Sequence, residues 1–158
     1  MAEKPIKVYA DTSVYGGVYD EEFAGASLAF LAQVRSGRFQ LVVSPLIGDE
    51  LADAPDEVQA LFDSLRSTAS VADVTEDAVR LQQAYVRAKI VGARWETDAL
   101  HVAIATVSEC RLIVSWNFKH IVNFEKIPLY NGVNLARGYG AIAIHTPQEV
   151  IAHDDEDL

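Results

Sequence analysis

The chain has 158 residues, of which 50% are hydrophobic, a mean hydropathy of +0.09 and a formal net charge of −10. That length suits one domain, which buries roughly 70% of its unfolded surface and needs no staples. The composition excludes a disordered tail, a collagen-like repeat and a disulfide scaffold, and Cys110 has no second cysteine to pair with. Residues 1–7 hold no apolar signal-peptide core, and no run of about 18 apolar residues occurs. The expectation is a cytoplasmic chain without a membrane span, with one domain over residues 1–152 and an acidic tail over 153–158.

Hydrophobic patterning divides the chain into alternating segments. Ile6–Ala10 is a short extended run. Phe23, Leu28, Leu31 and Val34 recur at helical spacing before Gly37. Phe39–Val43 is rich in β-formers. Ser44-Pro45 reads as a helix N-cap with proline at the first helical position, and Pro55 opens a helix with Val58, Leu61, Phe62 and Leu65 on one face. Val71–Val74 reads as a short strand. A helix from Thr75 runs through Leu81 and Tyr85 toward Gly92. Thr97–Glu109 is a strongly apolar central helix, and Leu112–Ser115 a buried strand. Residues 117–140 are irregular. Ala141–Ile144 is the last strand, and Thr146-Pro147 starts a short helix. Strands separated by helices require crossover connections. The fold class is therefore α/β, with a mainly parallel sheet whose ligands lie beyond the carboxyl ends of its strands.

The charge is uneven along the chain. Residues 80–137 hold eight bases and four acids, or +4, while the remainder holds five bases and nineteen acids, or −14. A basic field over the whole molecule, the footprint of general nucleic-acid binding, is absent, but a local basic face is allowed.

Four polar positions fall where the sheet rule directs attention. Asp11 follows the first strand. Glu50 lies about one and a half helical turns past Ser44. Asp98 begins the central helix, where the helix dipole tolerates an anion. Asn117 follows the Leu112–Ser115 strand. Each has a plainer reading: a cap or turn for Asp11 and Asn117, surface charge for Glu50, dipole compensation for Asp98. Brought together, the three carboxylates repel one another, and a divalent cation relieves the conflict. Oxygen ligands without a Cys or His set suit Mg²⁺ or Mn²⁺. Such an ion activates water and stabilises charge in phosphoryl displacement, which makes a phosphodiester the natural substrate.

With these residues in place, the sequence resembles the PIN-domain ribonucleases, and most closely the VapC-type toxins of toxin–antitoxin pairs. The resemblance rests on Tyr9-Ala10-Asp11-Thr12-Ser13, on Ser44 through Leu51, on Thr97 through Ala105 and on Ile113 through Phe118, in that order and spacing. Ile144 through Glu149 is similar to the family's closing strand and helix. The resemblance implies a three-layer α/β/α sandwich and a Mg²⁺- or Mn²⁺-dependent endoribonuclease. Asp11, Glu50 and Asp98 match the family's three acidic metal positions. Asn117 stands where many members carry a fourth aspartate, so one metal or two is left open. Ser13 matches a small polar residue beside the first aspartate, and Lys119 and His120 are placed to grip the RNA backbone. His101, one helical turn past Asp98, reads either as a ligand to phosphate or as a satisfied helix histidine. Trp116 reads either as a base-stacking or as a packed aromatic. The family further implies a homodimer and an antitoxin partner.

Two rival readings stand beside this one. Without a fourth carboxylate, the domain could bind RNA or protein without cleaving. A phosphoaspartate domain would also place an aspartate after its first strand, but Tyr9-Ala10-Asp11-Thr12-Ser13 lacks that class's second acid.

Overall fold

The computed structural model describes residues 4–153. The acidic part of the expected tail lies outside the described residues. Five strands form one sheet: β1 (Ile6–Ala10), β2 (Phe39–Val43), β3 (Ser70–Val71), β4 (Leu112–Val114) and β5 (Ala143–His145). Their spatial order is β3-β2-β1-β4-β5, and every neighbouring pair is parallel. The register sets Tyr9 level with Val42 on one side and Ile113 on the other. β4 is buried throughout, as continuous apolar strands in a sheet covered on both faces should be.

Parallel neighbours need crossovers, and helices supply them. α1 (Thr12–Gly17), α2 (Ala24–Arg35), α3 (Pro45–Glu50) and α4 (Asp56–Arg66) occupy the first half of the chain. α5 (Glu76–Arg87), α6 (Glu96–Val107), α7 (Ile127–Ala136) and α8 (Pro147–Val150) occupy the second. α1 packs on α2 and α4, and α8 returns to α2, whereas α6 and α7 both pack on α5. The helices thus form two groups around the sheet, giving the three layers expected. Among the described residues no helix is long and apolar enough to cross a membrane.

The structure corrects several local expectations. α2 turns Ser27, Phe30 and Leu31 inward and leaves Leu28 half exposed. Ser27 is needed inside because its hydroxyl receives the Trp116 indole N–H at 2.8 Å. β3 is only two residues long, and Val74 is exposed beyond it. α5 stops at Arg87, well before Gly92, and the chain then turns through Lys89 at φ 63°. The 117–140 stretch contains α7, whose apolar residues show no clean period around Gly132. Tertiary contacts hold it. The Tyr130 ring meets Tyr85 edge-on at 4.8 Å, and Asn134 bonds both the Tyr85 hydroxyl and Thr106.

From β1 the sheet extends to β2 on one side and to β4 on the other. The order reverses there, and such a switch point opens a crevice at the strand carboxyl ends. Asp11 and Ser115 are the residues that follow β1 and β4.

Candidate active site at the sheet switch point

Asp11 leaves β1 with extended backbone and caps α1. Its Oδ1 accepts the Ser13 backbone N–H at 3.1 Å and the Ser13 hydroxyl at 2.5 Å, and its Oδ2 accepts the Ser115 hydroxyl at 2.8 Å. The two serines also take bonds from the chain beyond β4: Trp116 N–H donates to Ser13 Oγ, and Asn117 N–H to Ser115 Oγ, each at 2.9 Å. The aspartate is therefore both a cap and the knot joining two strand ends. Only 4% of it is exposed. Burial pushes its carboxyl above the ordinary range, against the opposing pull of the nearby His101 and the two serines.

A second polar chain runs alongside. The Ser44 and Tyr9 hydroxyls are 2.8 Å apart, and the Tyr9 hydroxyl lies 2.7 Å from His101 Nδ1. His101 Nε2 pairs with Glu50 Oε1, which also accepts the Thr12 hydroxyl at 2.7 Å. Ser44 sits at the N-cap position of α3, but its side chain caps nothing because it is turned to Tyr9. Burial raises the Glu50 carboxyl, but the hydrogen bonds and charge of His101, with the bond from Thr12, outweigh it and hold the group below its ordinary range.

The remaining expected residues take other positions. Asp98 is half-buried in the first turn of α6, and among the described residues it enters no ion pair. Its charge bears on His120 and on Tyr130. Asn117 Oδ1 accepts the His120 backbone N–H at 2.9 Å, closing a turn. His120 is buried to 6% exposure beneath Trp95, with ring centroids 4.8 Å apart, rather than presented to solvent. Lys119 is exposed, with its ammonium 5.2 Å from the Trp95 ring centre. Trp116 is packed: it stacks on Phe23 at 4.3 Å. A side chain at Gly17 would come within 2.9 Å of its ring, so this position requires glycine. His101 is the satisfied helix histidine, bonded at both nitrogens.

The structure thus joins Asp11 to Ser13, Glu50 to His101 and Asn117 to His120, with Asp98 bordering the last pair. Among the described residues, no group of three or more His, Cys, Asp and Glu side chains is disposed to hold a metal ion. Sequence reasoning missed Tyr9, Thr12 and Ser115 as site members, although all three lie inside or beside the motif blocks.

No protein-family model matches the chain, and no curated protein matches it. Solved structures do. A VapBC2 structure from Rickettsia felis, bound to a promoter DNA fragment, aligns over 89% of this chain and 98% of its own, with TM-score 0.59 and 14% identity. The fold is PIN-like. A toxin–antitoxin complex from Klebsiella pneumoniae aligns over 75% of this chain and 93% of its own, with TM-score 0.55 and 15% identity. The sarcin–ricin-loop-cleaving toxin VapC20 of Mycobacterium tuberculosis aligns over 85% and 98%, with TM-score 0.53 and 12% identity.

At the switch point of this PIN-like fold, the donor set is chemically suited to a hard cation. It offers carboxylate and hydroxyl oxygens and no sulfur. Mg²⁺ commonly meets only one or two protein carboxylates and completes its shell with water and substrate phosphate, so a full protein cage is not required. Asp11 is a buried carboxylate whose hydrogen bonds come from neutral donors, and Asp98, which enters no ion pair among the described residues, has oxygens to spare. Glu50 differs, because His101 and Thr12 already hydrogen-bond it.

Proposed function

We propose that this chain is a Mg²⁺- or Mn²⁺-dependent endoribonuclease and the toxin of a toxin–antitoxin pair. The observation that carries the reading is Asp11, a buried carboxylate at the sheet's switch point held only by hydroxyl and amide donors. Burial of the carboxylate outweighs even the pull of His101, and sites that retain such a group are enriched in function. The fold shared with VapC-type structures supports the same reading.

Asp11 and Asp98 would hold the ion, with Glu50 and Asn117 placed around it. When bound, the ion supplies charge stabilisation to phosphodiester displacement. Ser13 and Ser115 fix the Asp11 carboxylate, and the Tyr9–His101 pair fixes Glu50. Lys119 supplies charge to the RNA backbone. We further propose a cytoplasmic homodimer that an antitoxin holds inactive.

A second reading, an RNA- or protein-binding module that does not cleave, is favoured by the engagement of Glu50 with His101 and of Asn117 in a turn. One experiment separates them. Purified protein is incubated with RNA in Mn²⁺, alongside Asp11→Asn and Asp98→Asn. Cleavage is expected in the parent and a loss of about 10²-fold or more in each variant, with circular dichroism unchanged. Undiminished cleavage by both variants refutes the assigned roles. Absence of cleavage in the parent, with RNA binding retained, establishes the binding module.

A further inference from the structure

Beside Asp98 and Asn117 lies a group of residues that the cleavage chemistry does not use. Trp95 closes a 3-10 turn (Ala93–Trp95) just before α6, three residues ahead of Asp98. Its residue surface is 38% exposed. Its ring lies nearly parallel to that of His120, at an interplanar angle of 27°. Two exposed cations converge on it: the Arg94 guanidinium at 5.1 Å and the Lys119 ammonium at 5.2 Å from the ring centre. Among the described residues His120, almost fully covered, has no hydrogen-bond partner at either Nδ1 or Nε2.

These features are costly to the free protein. An exposed indole gives up burial, and a covered imidazole with both nitrogens unbonded forgoes a donor and an acceptor bond. A ligand that offers an aromatic face and an anion matches the exposed indole and the two cations. The covered His120 ring backs the indole, and a nucleotide has both parts. It must be unpaired, because a base inside a duplex has no face to offer. All four residues also fall within residues 80–137, which carry a net charge of +4.

We propose that Trp95, with Arg94, Lys119 and His120, forms a stacking subsite for one unpaired base of a single-stranded RNA, with the adjoining phosphate held by the two cations. The subsite rests on the ribonuclease reading for its substrate, and it places a base next to the Asp98 side of the cleft. It also accounts for selectivity, because a chain of net charge −10 repels RNA elsewhere and needs a local point of capture.

The test is binding of a 12-nucleotide single-stranded RNA in chelator, read by tryptophan fluorescence. A saturable quench is expected. Trp95→Ala should weaken binding about ten-fold or more. Trp95→Phe, which preserves an aromatic over His120, should bind within about three-fold of the parent and lose the quench. Arg94→Ala and Lys119→Ala should each lower the salt dependence by about one phosphate contact. The proposal is overturned by unchanged affinity in Trp95→Ala, by a quench that persists in Trp95→Phe, by equal affinity for duplex RNA, or by equally effective displacement with an acidic peptide. Cleavage in Mn²⁺ is scored separately. Trp95-dependent binding without cleavage preserves the subsite and removes the nuclease. Cleavage with an unchanged KM and affinity in Trp95→Ala does the reverse.

Discussion

Asp11 and Glu50 lie at the same edge of the sheet, and Thr12 links them, since it follows one and bonds the other. Their environments differ in kind. Asp11 is ringed by neutral donors, and burial drives its carboxyl upward. Glu50 is more open and faces an imidazole that leans on a buried tyrosine, so its carboxyl is driven downward. Two acids side by side are thus tuned in opposite directions. Their difference separates a carboxyl dominated by burial from one whose hydrogen bonds and neighbouring imidazole outweigh burial. Under the proposed function the first meets the ion directly, whereas the second, besides lying around it, holds α3 against α6.

The sharpest way to break this contrast is to remove the built-in partner. His101→Ala deletes a buried ring, strips Glu50 of its pairing and leaves the Tyr9 hydroxyl with Ser44 alone. We expect a loss of about 2–3 kcal/mol in denaturant-measured stability. Loss of under about 0.5 kcal/mol would mean that the pairing contributes little to the fold.

The opposite sign is expected at Asp11. A carboxyl raised in the folded state favours folding only while it is protonated, and it opposes folding as the pH rises through its folded pKa. Asp11→Asn should therefore raise the urea midpoint at pH 7 in chelator. The advantage should fade as the pH falls through the raised value, because the parent aspartate then becomes neutral as well. Urea unfolding at pH 7 and pH 4 measures this, and a variant less stable than the parent at pH 7 contradicts it. For Glu50 the sign reverses: its contribution is present above the ordinary carboxyl range and is lost as the pH falls through the lowered value.

The smallest effect belongs to the link. The Thr12–Glu50 bond is exposed, so Thr12→Val should change stability by about 0.5 kcal/mol or less, read from the urea midpoint. A larger loss would show that the two acids act as one unit.

Much of the framework was legible in the residues. β1 and β2 were delimited to the residue, because a run of apolar β-formers between polar breaks is a local signal. The Thr146 start of α8 was equally plain, and the structure adds a reciprocal cap between Thr146 and Glu149. α7 was not legible. Its inward residues Tyr130 and Asn134 are chosen by Tyr85 and Thr106, which lie far away in sequence. His101 has two readings in the sequence, and its packing selects one.

The amino-acid pattern by itself determined that strands alternate with helices, that the sheet is parallel, and that Asp11, Glu50, Asp98 and Asn117 belong to segments feeding one sheet edge. Those properties follow from short-range periodicity and from the geometry of crossovers. The tertiary structure alone decided which polar atom meets which. Pairing Val8 with Leu112 brings the ends of β1 and β4 level, and so sets the Ser115 hydroxyl on Asp11, 104 positions away. A hydrogen-bond partner is a matter of ångströms between distant segments, and no local preference along the chain encodes it.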